Sequence, residues 1–166
     1  NNGGGTSMAG DTLLSYIAKT PFTQYEKVWT KVTPITQKMT RRHYKQGVNF
    51  YIIDKKKQPQ ANSAQRFNGK VWVLVNHHSF SAAASFAWTV KAFKIGTLVG
   101  EEAGGMNISY GDVVGYVLPH SKLPLSISFK RFWLFGADEN NIHGALPDIN
   151  VESSKALETV LKKISY

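Results

Sequence analysis

The residue most able to do chemistry in this sequence is a serine that follows a continuous apolar segment. Ser81 comes shortly after residues 71–75 (VWVLV) and is followed by Ala82, Ala83 and Ala84. At a helix start, its hydroxyl would lie beside free N–H groups and a positive potential, which suit a nucleophile that generates an oxyanion. The alternative is that Ser81 only caps the helix, because serine is a favoured N-cap residue. The glycines of a G-x-S-x-G elbow are absent, which disfavours an α/β-hydrolase site.

A glycine run opens the chain and offers a second chemical feature. Residues 1–5 read NNGGG, and three successive glycines allow main-chain N–H groups to point into a cavity. One of these groups could donate to an oxyanion, although glycine runs are more often flexible turns. A phosphate-binding loop is disfavoured, because no Gly-Lys-Ser/Thr follows.

Two polar pairs flank the serine in sequence. His77 and His78 precede it, but adjacent residues of an extended segment point in opposite directions, so at most one could face Ser81. No third ligand is suitably spaced, which makes zinc binding improbable. Glu101 and Glu102 follow an apolar segment, where a parallel sheet would gather site residues. They could equally solvate a loop, and the sequence leaves both interpretations open.

The elements that must position these residues follow from periodicity and from start and stop signals. A crossover unit, made of a strand over 71–75, a helix over 81–94 and a strand over 97–100, implies parallel pairing and an α/β fold. We further predict a helix over 12–19 capped by Asp11, extended structure over 24–36, strands over 49–53, 113–118 and 125–129, and a helix over 155–164 capped by Ser153.

The composition is that of a globular protein whose charge is concentrated in one segment. The 166 residues have a net charge of +9 and no cysteine, which excludes disulfides, thiolate zinc sites and a cysteine nucleophile. Residues 31–70 hold ten Lys and Arg residues against Asp54 alone. This segment could bind an anionic partner, but we favour a solvated loop or hairpin, since it contains no known nucleic-acid-binding module. No apolar stretch is long enough for a transmembrane helix, no secretory signal is visible at residue 1, and no cofactor or nucleic-acid partner is expected.

The order of these motifs resembles the C-terminal part of a tail-specific (C-terminal processing) serine protease domain. The run over 1–5 is similar to the end of that family's D-L-R-x-N-G-G-G segment. Residues 79–83 (SFSAA) resemble its nucleophile helix, residues 99–105 (VGEEAGG) its V-G-E-x-T-x-G-G segment, and residues 144–149 (GALPDI) its G-V-x-P-D-I turn. Residues 37–68 have no clear counterpart and are interpreted as a basic insertion.

The resemblance implies a function and a set of site residues. Ser81 would be the nucleophile of a serine endopeptidase acting on a peptide or protein, and the N–H groups of Ala82 and Gly4 would stabilise the oxyanion. The implied fold is a crotonase/ClpP-like α/β core with a mostly parallel sheet, flanking helices and a β-hairpin region. The same resemblance suggests an extracytoplasmic protein, periplasmic or membrane-associated. A non-catalytic ligand- or peptide-binding module on the same fold is the alternative function.

Two departures from the family pattern bear on the general base. In the Ser–Lys branch a lysine follows the glycine loop after the next strand. That loop matches Gly104 and Gly105 here, and the next residue is Met106, which cannot accept a proton. The chain therefore resembles the Ser–His branch, which includes the tricorn core protease and whose histidine precedes the glycine run. On this interpretation residues 1–166 are the C-terminal portion of one protease domain, and the base comes from a missing N-terminal segment. The glutamate of that branch falls at Asn141 by strict register, and Glu139 could replace it.

Overall fold

The computed structural model describes residues 1–40 and 45–164, which form a mixed α/β structure with two sheets. The described helices are α1 (Ser7–Ile17), α2 (Pro34–Thr40), α3 (Ala82–Ala92) and α4 (Ala156–Ile164). The described strands are β1 (Tyr25–Val32), β2 (Gly47–Ile52), β3 (Trp72–Val75), β4 (Thr97–Gly100), β5 (Ile108–Val117), β6 (Pro124–Leu134) and β7 (Ile149–Asn150).

The smaller sheet is parallel and carries the predicted crossover unit. Its order is β3-β4-β7, and Val75 pairs with Gly100 where β3 and β4 end. Gly100 has φ 130°, and an added Cβ would lie 2.1 Å from the Val75 carbonyl oxygen, so only glycine fits there. The apolar sequence of β3 predicts a strand that is covered on both faces. The structure differs, because Leu74 is 42% exposed.

The larger sheet is antiparallel, which corrects the expectation of a mostly parallel architecture. Its order is β2-β1-β6-β5. The predicted hairpin over 113–129 is its β5–β6 pair, which extends further, with Ile108 opposite Trp133 and Val117 opposite Pro124. The error arises because the β1 sequence alternates only loosely, so its pairing with β6 is not visible locally.

The main core lies between α1, α3 and the parallel sheet. Leu14, Phe22, Val90 and Leu98 are fully buried there. α1 begins earlier than predicted, because Thr6 caps it by accepting a hydrogen bond from the Met8 N–H, 3.4 Å away.

Two other predicted features differ from the structure. The extended segment over 24–36 ends at Val32, since α2 starts at Pro34. In α4, only Val160 of the predicted apolar stripe is buried, and the other three members are more than half exposed: Leu157, Leu161 and Ile164. A 3-10 turn over Ser153–Lys155 leads into this helix.

The basic segment over 31–70 is spread over several elements. β2 is an edge strand that pairs with β1, the Lys57 ammonium lies 3.8 Å from the Asp11 carboxylate, and Lys56 lies over the rings of Phe93 and Phe135. Arg41 and Arg42 lie outside the described residues. The assignment of 37–68 as an insertion stays a prediction.

Candidate active site

Ser81 lies at a strained turn between β3 and α3. Its backbone has φ 50° and ψ −127°, a conformation that non-glycine residues rarely adopt and that is concentrated at functional sites. Ser81 is exposed, and its side chain makes no capping hydrogen bond to α3. Capping of α3 by the side chain therefore does not explain why a serine occupies this position.

The turn before Ser81 is fixed by its own polar groups. The Asn76 N–H donates to Ser79 Oγ at 3.2 Å, and the Ser79 N–H donates to the Asn76 carbonyl at 2.8 Å. Asn76 Oδ1 accepts the His78 N–H at 3.0 Å. These bonds hold both ends of the turn and so set the direction in which Ser81 leaves it.

The glycine run lies directly against this turn. The Phe80 N–H donates to the Asn2 carbonyl at 3.1 Å, and Asn76 Nδ2 donates to Asn1 Oδ1 at 2.6 Å. A Cβ added to Gly4 would lie 2.6 Å from Ser81 Cβ, and Gly4 has φ 104°. The structure therefore brings together two segments whose contacting residues are 75 or more positions apart in sequence.

The two predicted oxyanion donors differ in their present bonding. The Ala82 N–H, in the first turn of α3, has no acceptor within the described part of the chain. The Gly4 N–H donates to Asn2 Oδ1 at 3.0 Å. Ala82 thus presents a free donor beside Ser81, whereas Gly4 can donate to another oxygen only if the Asn2 side chain moves.

Ser81 opens into a cavity of 610 Å³, a volume within the range of ligand sites. Its walls are the end of the glycine run, the start of α3, the segment 105–112 and one face of β6. β5 is an edge strand of its sheet, so an extended ligand in this cavity could reach unpaired main-chain groups of residues 108–112.

Among the described residues, the cavity lacks both general bases that the family resemblance implies, a histidine and an unpaired lysine. Met106 lines it, in the place where the Ser–Lys pattern would have a lysine. Lys130 also lines it, but its Nζ already donates to Asp112 Oδ2 at 2.6 Å. Sequence reasoning missed both Lys130 and Asp112, because nothing in their local sequence shows that β5 and β6 form a wall of this cavity.

None of the described histidines lines the Ser81 cavity. His77 Nδ1 lies 3.6 Å from Glu101 Oε2, and the His77 and His78 rings are 4.0 Å apart. His143 packs against Trp88, with Nδ1 2.6 Å from the Gly144 carbonyl. These contacts indicate that the three histidines have structural roles in loops, which is the role that the sequence predicts for the pair over 77–78.

The two glutamates after β4 hold loops. Glu101 Oε1 accepts the Ser153 N–H at 3.2 Å, and Glu102 Oε1 accepts the Gly144 N–H at 2.8 Å. Between the two interpretations left open by the sequence, these bonds favour the structural one.

Glu139 lies beside a different part of the sheet. Its carboxylate accepts hydrogen bonds from Trp133 Nε1 at 2.9 Å and from Arg131 at 3.1 Å. The Trp133 bond is the main cause that lowers the pKa of Glu139, and Arg131 adds to it. Arg131 and Trp133 alternate with the cavity-lining Lys130 and Phe132 along β6, so they point to the opposite face. The part in catalysis expected for Glu139 is not supported by this placement and stays a prediction.

A smaller cavity of 390 Å³ shares Gly5, Thr6 and Ala82 with the Ser81 cavity. Its apolar wall includes Leu13, Leu74 and Phe86, and Asn1 and Gly4 also line it. Across residues 1–40 and 45–164, no group of His, Asp or Glu side chains could hold a metal ion, and no helix is long and apolar enough to span a membrane.

Comparisons with known proteins place this chain in a family. The profile of peptidase family S41 matches residues 1–151. No curated protein matches the chain. Three similar solved structures are the 'putative peptidase' from Parabacteroides merdae ATCC 43184, mature CPAF, and the photosystem II D1 C-terminal processing protease.

These structures show the same fold at low sequence identity. The Parabacteroides structure is 20% identical with a TM-score of 0.59, and the match covers 99% of this chain and 50% of that one. Mature CPAF is 15% identical with a TM-score of 0.66, covering 98% and 41%. The D1 processing protease is 18% identical with a TM-score of 0.50, covering 97% and 36%. This chain therefore spans half or less of the length of each protein.

Proposed function

Because the chain belongs to peptidase family S41, we propose that it is the C-terminal part of a serine endopeptidase domain whose nucleophile is Ser81. The observation that carries the proposal is the strained, exposed turn at Ser81, against which Gly4 packs beside a cavity. A capping serine would need neither the strain nor the contact. The substrate is a peptide or protein segment in extended conformation, since residues 108–112 of β5, an edge strand of its sheet, line the cavity.

The chemistry is acyl transfer. Ser81 Oγ attacks the carbonyl carbon of the scissile peptide bond and gives its proton to a general base. The negative charge that develops on the carbonyl oxygen is stabilised by the Ala82 N–H and by an N–H of the glycine run. For Gly4 to serve, its N–H exchanges Asn2 Oδ1 for the oxyanion. The amine leaves with a proton, and water then hydrolyses the acyl-enzyme to free Ser81.

We assign the base to a segment outside residues 1–166. Met106 occupies the place of the lysine in the Ser–Lys pattern, and no described histidine reaches the cavity. The Ser–His pattern, in which the base precedes the glycine run, is consistent with both observations. Residues 1–166 alone should therefore have almost no peptidase activity, and robust turnover by this fragment would contradict the assignment. By the same family resemblance, we place the protein outside the cytoplasm, which fractionation of the cells that make it would test.

A fluorophosphonate probe tests the nucleophile directly in the full-length protein. We expect labelling of Ser81, loss of labelling in Ser81→Ala, and retained labelling in Ser109→Ala, a control that lines the same cavity. Labelling that maps to another serine, or that persists in Ser81→Ala, would refute the proposal.

The second candidate is a non-catalytic binding module, favoured by the apolar cavity beside Leu13, Leu74 and Phe86. This function predicts that an apolar ligand binds in this cavity and that the fluorophosphonate probe does not label Ser81. Labelling of Ser81 would decide for the peptidase.

A further inference from the structure

A mostly buried cation lies in the Ser81 cavity and has no part in the acyl transfer described above. Lys130 lines the cavity from β6, and its side chain is only 13% exposed. Its ammonium lies 5.7 Å from the Phe129 ring and 6.0 Å from the Phe132 ring. Lysine is rarely buried unless it is paired, so its partners decide what it does here.

The ammonium is only partly satisfied within the described residues. Lys130 Nζ donates to Asp112 Oδ2 at 2.6 Å, whereas a lysine has three N–H donors. The Asp112 side chain is 50% exposed, so solvent shares its charge. The less exposed member of the pair is therefore the cation, and it retains donors for a further acceptor in the cavity.

The charges around the cavity determine which acceptor fits. Its described titratable side chains are Tyr25, Tyr110, Asp112 and Lys130, and Asp112 is the only carboxylate among them. A basic ligand group would have to approach Lys130, whose only described counter-ion is already engaged. A carboxylate would instead add a charge-assisted hydrogen bond to a weakly solvated ammonium, a strong type of polar contact.

We propose that Lys130 is a specificity-determining residue that binds a carboxylate of the substrate peptide beside the scissile bond. The carboxylate belongs either to an Asp or Glu side chain or to the C-terminus of the peptide. This inference rests on the proposed peptidase function, because it places the peptide in the Ser81 cavity.

Matched peptides test the inference in the full-length protein. One series replaces Glu by Gln at each position around the cleavage site, and another replaces a C-terminal acid by an amide. We expect the wild type to prefer the carboxylate by about tenfold in kcat/KM in one series, which identifies the source. Lys130→Met should abolish this preference, and Asp112→Asn should increase it by freeing the ammonium. Lys163→Met, an exposed change on α4, is the control and should leave the preference intact.

The outcomes separate this inference from the peptidase proposal. Cleavage at Ser81 without a carboxylate preference, or a Lys130→Met variant that loses activity equally on all peptides, overturns the role of Lys130 alone. Binding of the same peptides to Ser81→Ala, followed by fluorescence anisotropy, needs no turnover. If the charged peptides bind no more tightly than their neutral partners, the inference is overturned even for a chain that cleaves nothing. Persistent labelling in Ser81→Ala overturns the peptidase proposal.

Discussion

Gly4 and Ser81 are packed so closely that no side chain fits between them. A Cβ on Gly4 would lie 2.6 Å from Ser81 Cβ, 2.8 Å from the Phe80 carbonyl oxygen and 3.1 Å from the Ala82 nitrogen. The start of the chain and the start of α3 therefore form a single wall, on which an oxyanion could be held by N–H groups from both.

Gly4→Ala should abolish reactivity at Ser81. The added methyl would displace either the glycine run or the serine, and φ 104° disfavours any L side chain. Since loss of one oxyanion donor costs about 100-fold, we expect at least that decrease in the rate of fluorophosphonate labelling. Gly3→Ala is the matched control, because a Cβ there meets no atom within 4 Å. Equal labelling of the two variants would show that the contact has no role.

The strain at Ser81 should be measurable as stability. Glycine tolerates φ 50° with ψ −127°, whereas alanine does not, and such strain costs about 1–3 kcal/mol. Relief of this strain favours glycine, and the greater backbone entropy of glycine in the unfolded chain offsets part of the gain. In urea titrations, Ser81→Gly should therefore have a free energy of unfolding about 1 kcal/mol higher than Ser81→Ala. At the exposed Ser154 the same pair of changes should favour alanine. If alanine is also the more stable replacement at position 81, the turn is not strained.

The crossover unit was predictable because each of its elements has a strong local signal. The apolar strands over 71–75 and 97–100 and the intervening helix all occur near their predicted bounds. The second sheet was only partly predictable, since β1 and β6 are distant in sequence and their pairing depends on tertiary contacts. The site follows the same division. Ser81 could be singled out because it follows a strong strand signal and its segment resembles a nucleophile helix, whereas Lys130 enters the cavity only because β6 forms its wall.

Gly104, in the loop after β4, should be needed for full stability of the fold. A Cβ on Gly104 would lie 2.0 Å from the His77 carbonyl oxygen, a main-chain atom that cannot move aside. Gly104→Ala should therefore destabilise the fold by roughly 1–3 kcal/mol or more, measured by urea unfolding. Gly115→Ala on β5 meets nothing within 4 Å and should be neutral or stabilising by about 0.5 kcal/mol. If Gly104→Ala does not change the free energy of unfolding, the close approach of Gly104 to the His77 carbonyl oxygen is contradicted.

Asp148, in the turn before β7, should make the free energy of unfolding depend on pH. Burial raises the pKa of Asp148, but hydrogen bonds from Lys91 and the Leu98 N–H, together with the Lys91 charge, outweigh it, so the pKa is below its usual value. Its contribution is complete above the ordinary Asp value of about 3.9 and is lost as pH falls through the lower folded value. Asp148→Asn should therefore lose less free energy of unfolding than the wild type between pH 6 and pH 3. Asp54→Asn, at an exposed position, is the control. If the free energy of unfolding of Asp148→Asn falls between pH 6 and pH 3 as much as that of the wild type, the linkage is disproved.

The backbone angles of Ser81 also restrict which nucleophiles this turn can carry. Threonine has the same hydroxyl group, but its branched Cβ is poorly tolerated at positive φ, and its extra methyl would need space where Gly4 already lies close. Only an unbranched side chain such as serine or cysteine suits the position. Conversion to a threonine enzyme would therefore require rebuilding the backbone of the turn, not one substitution.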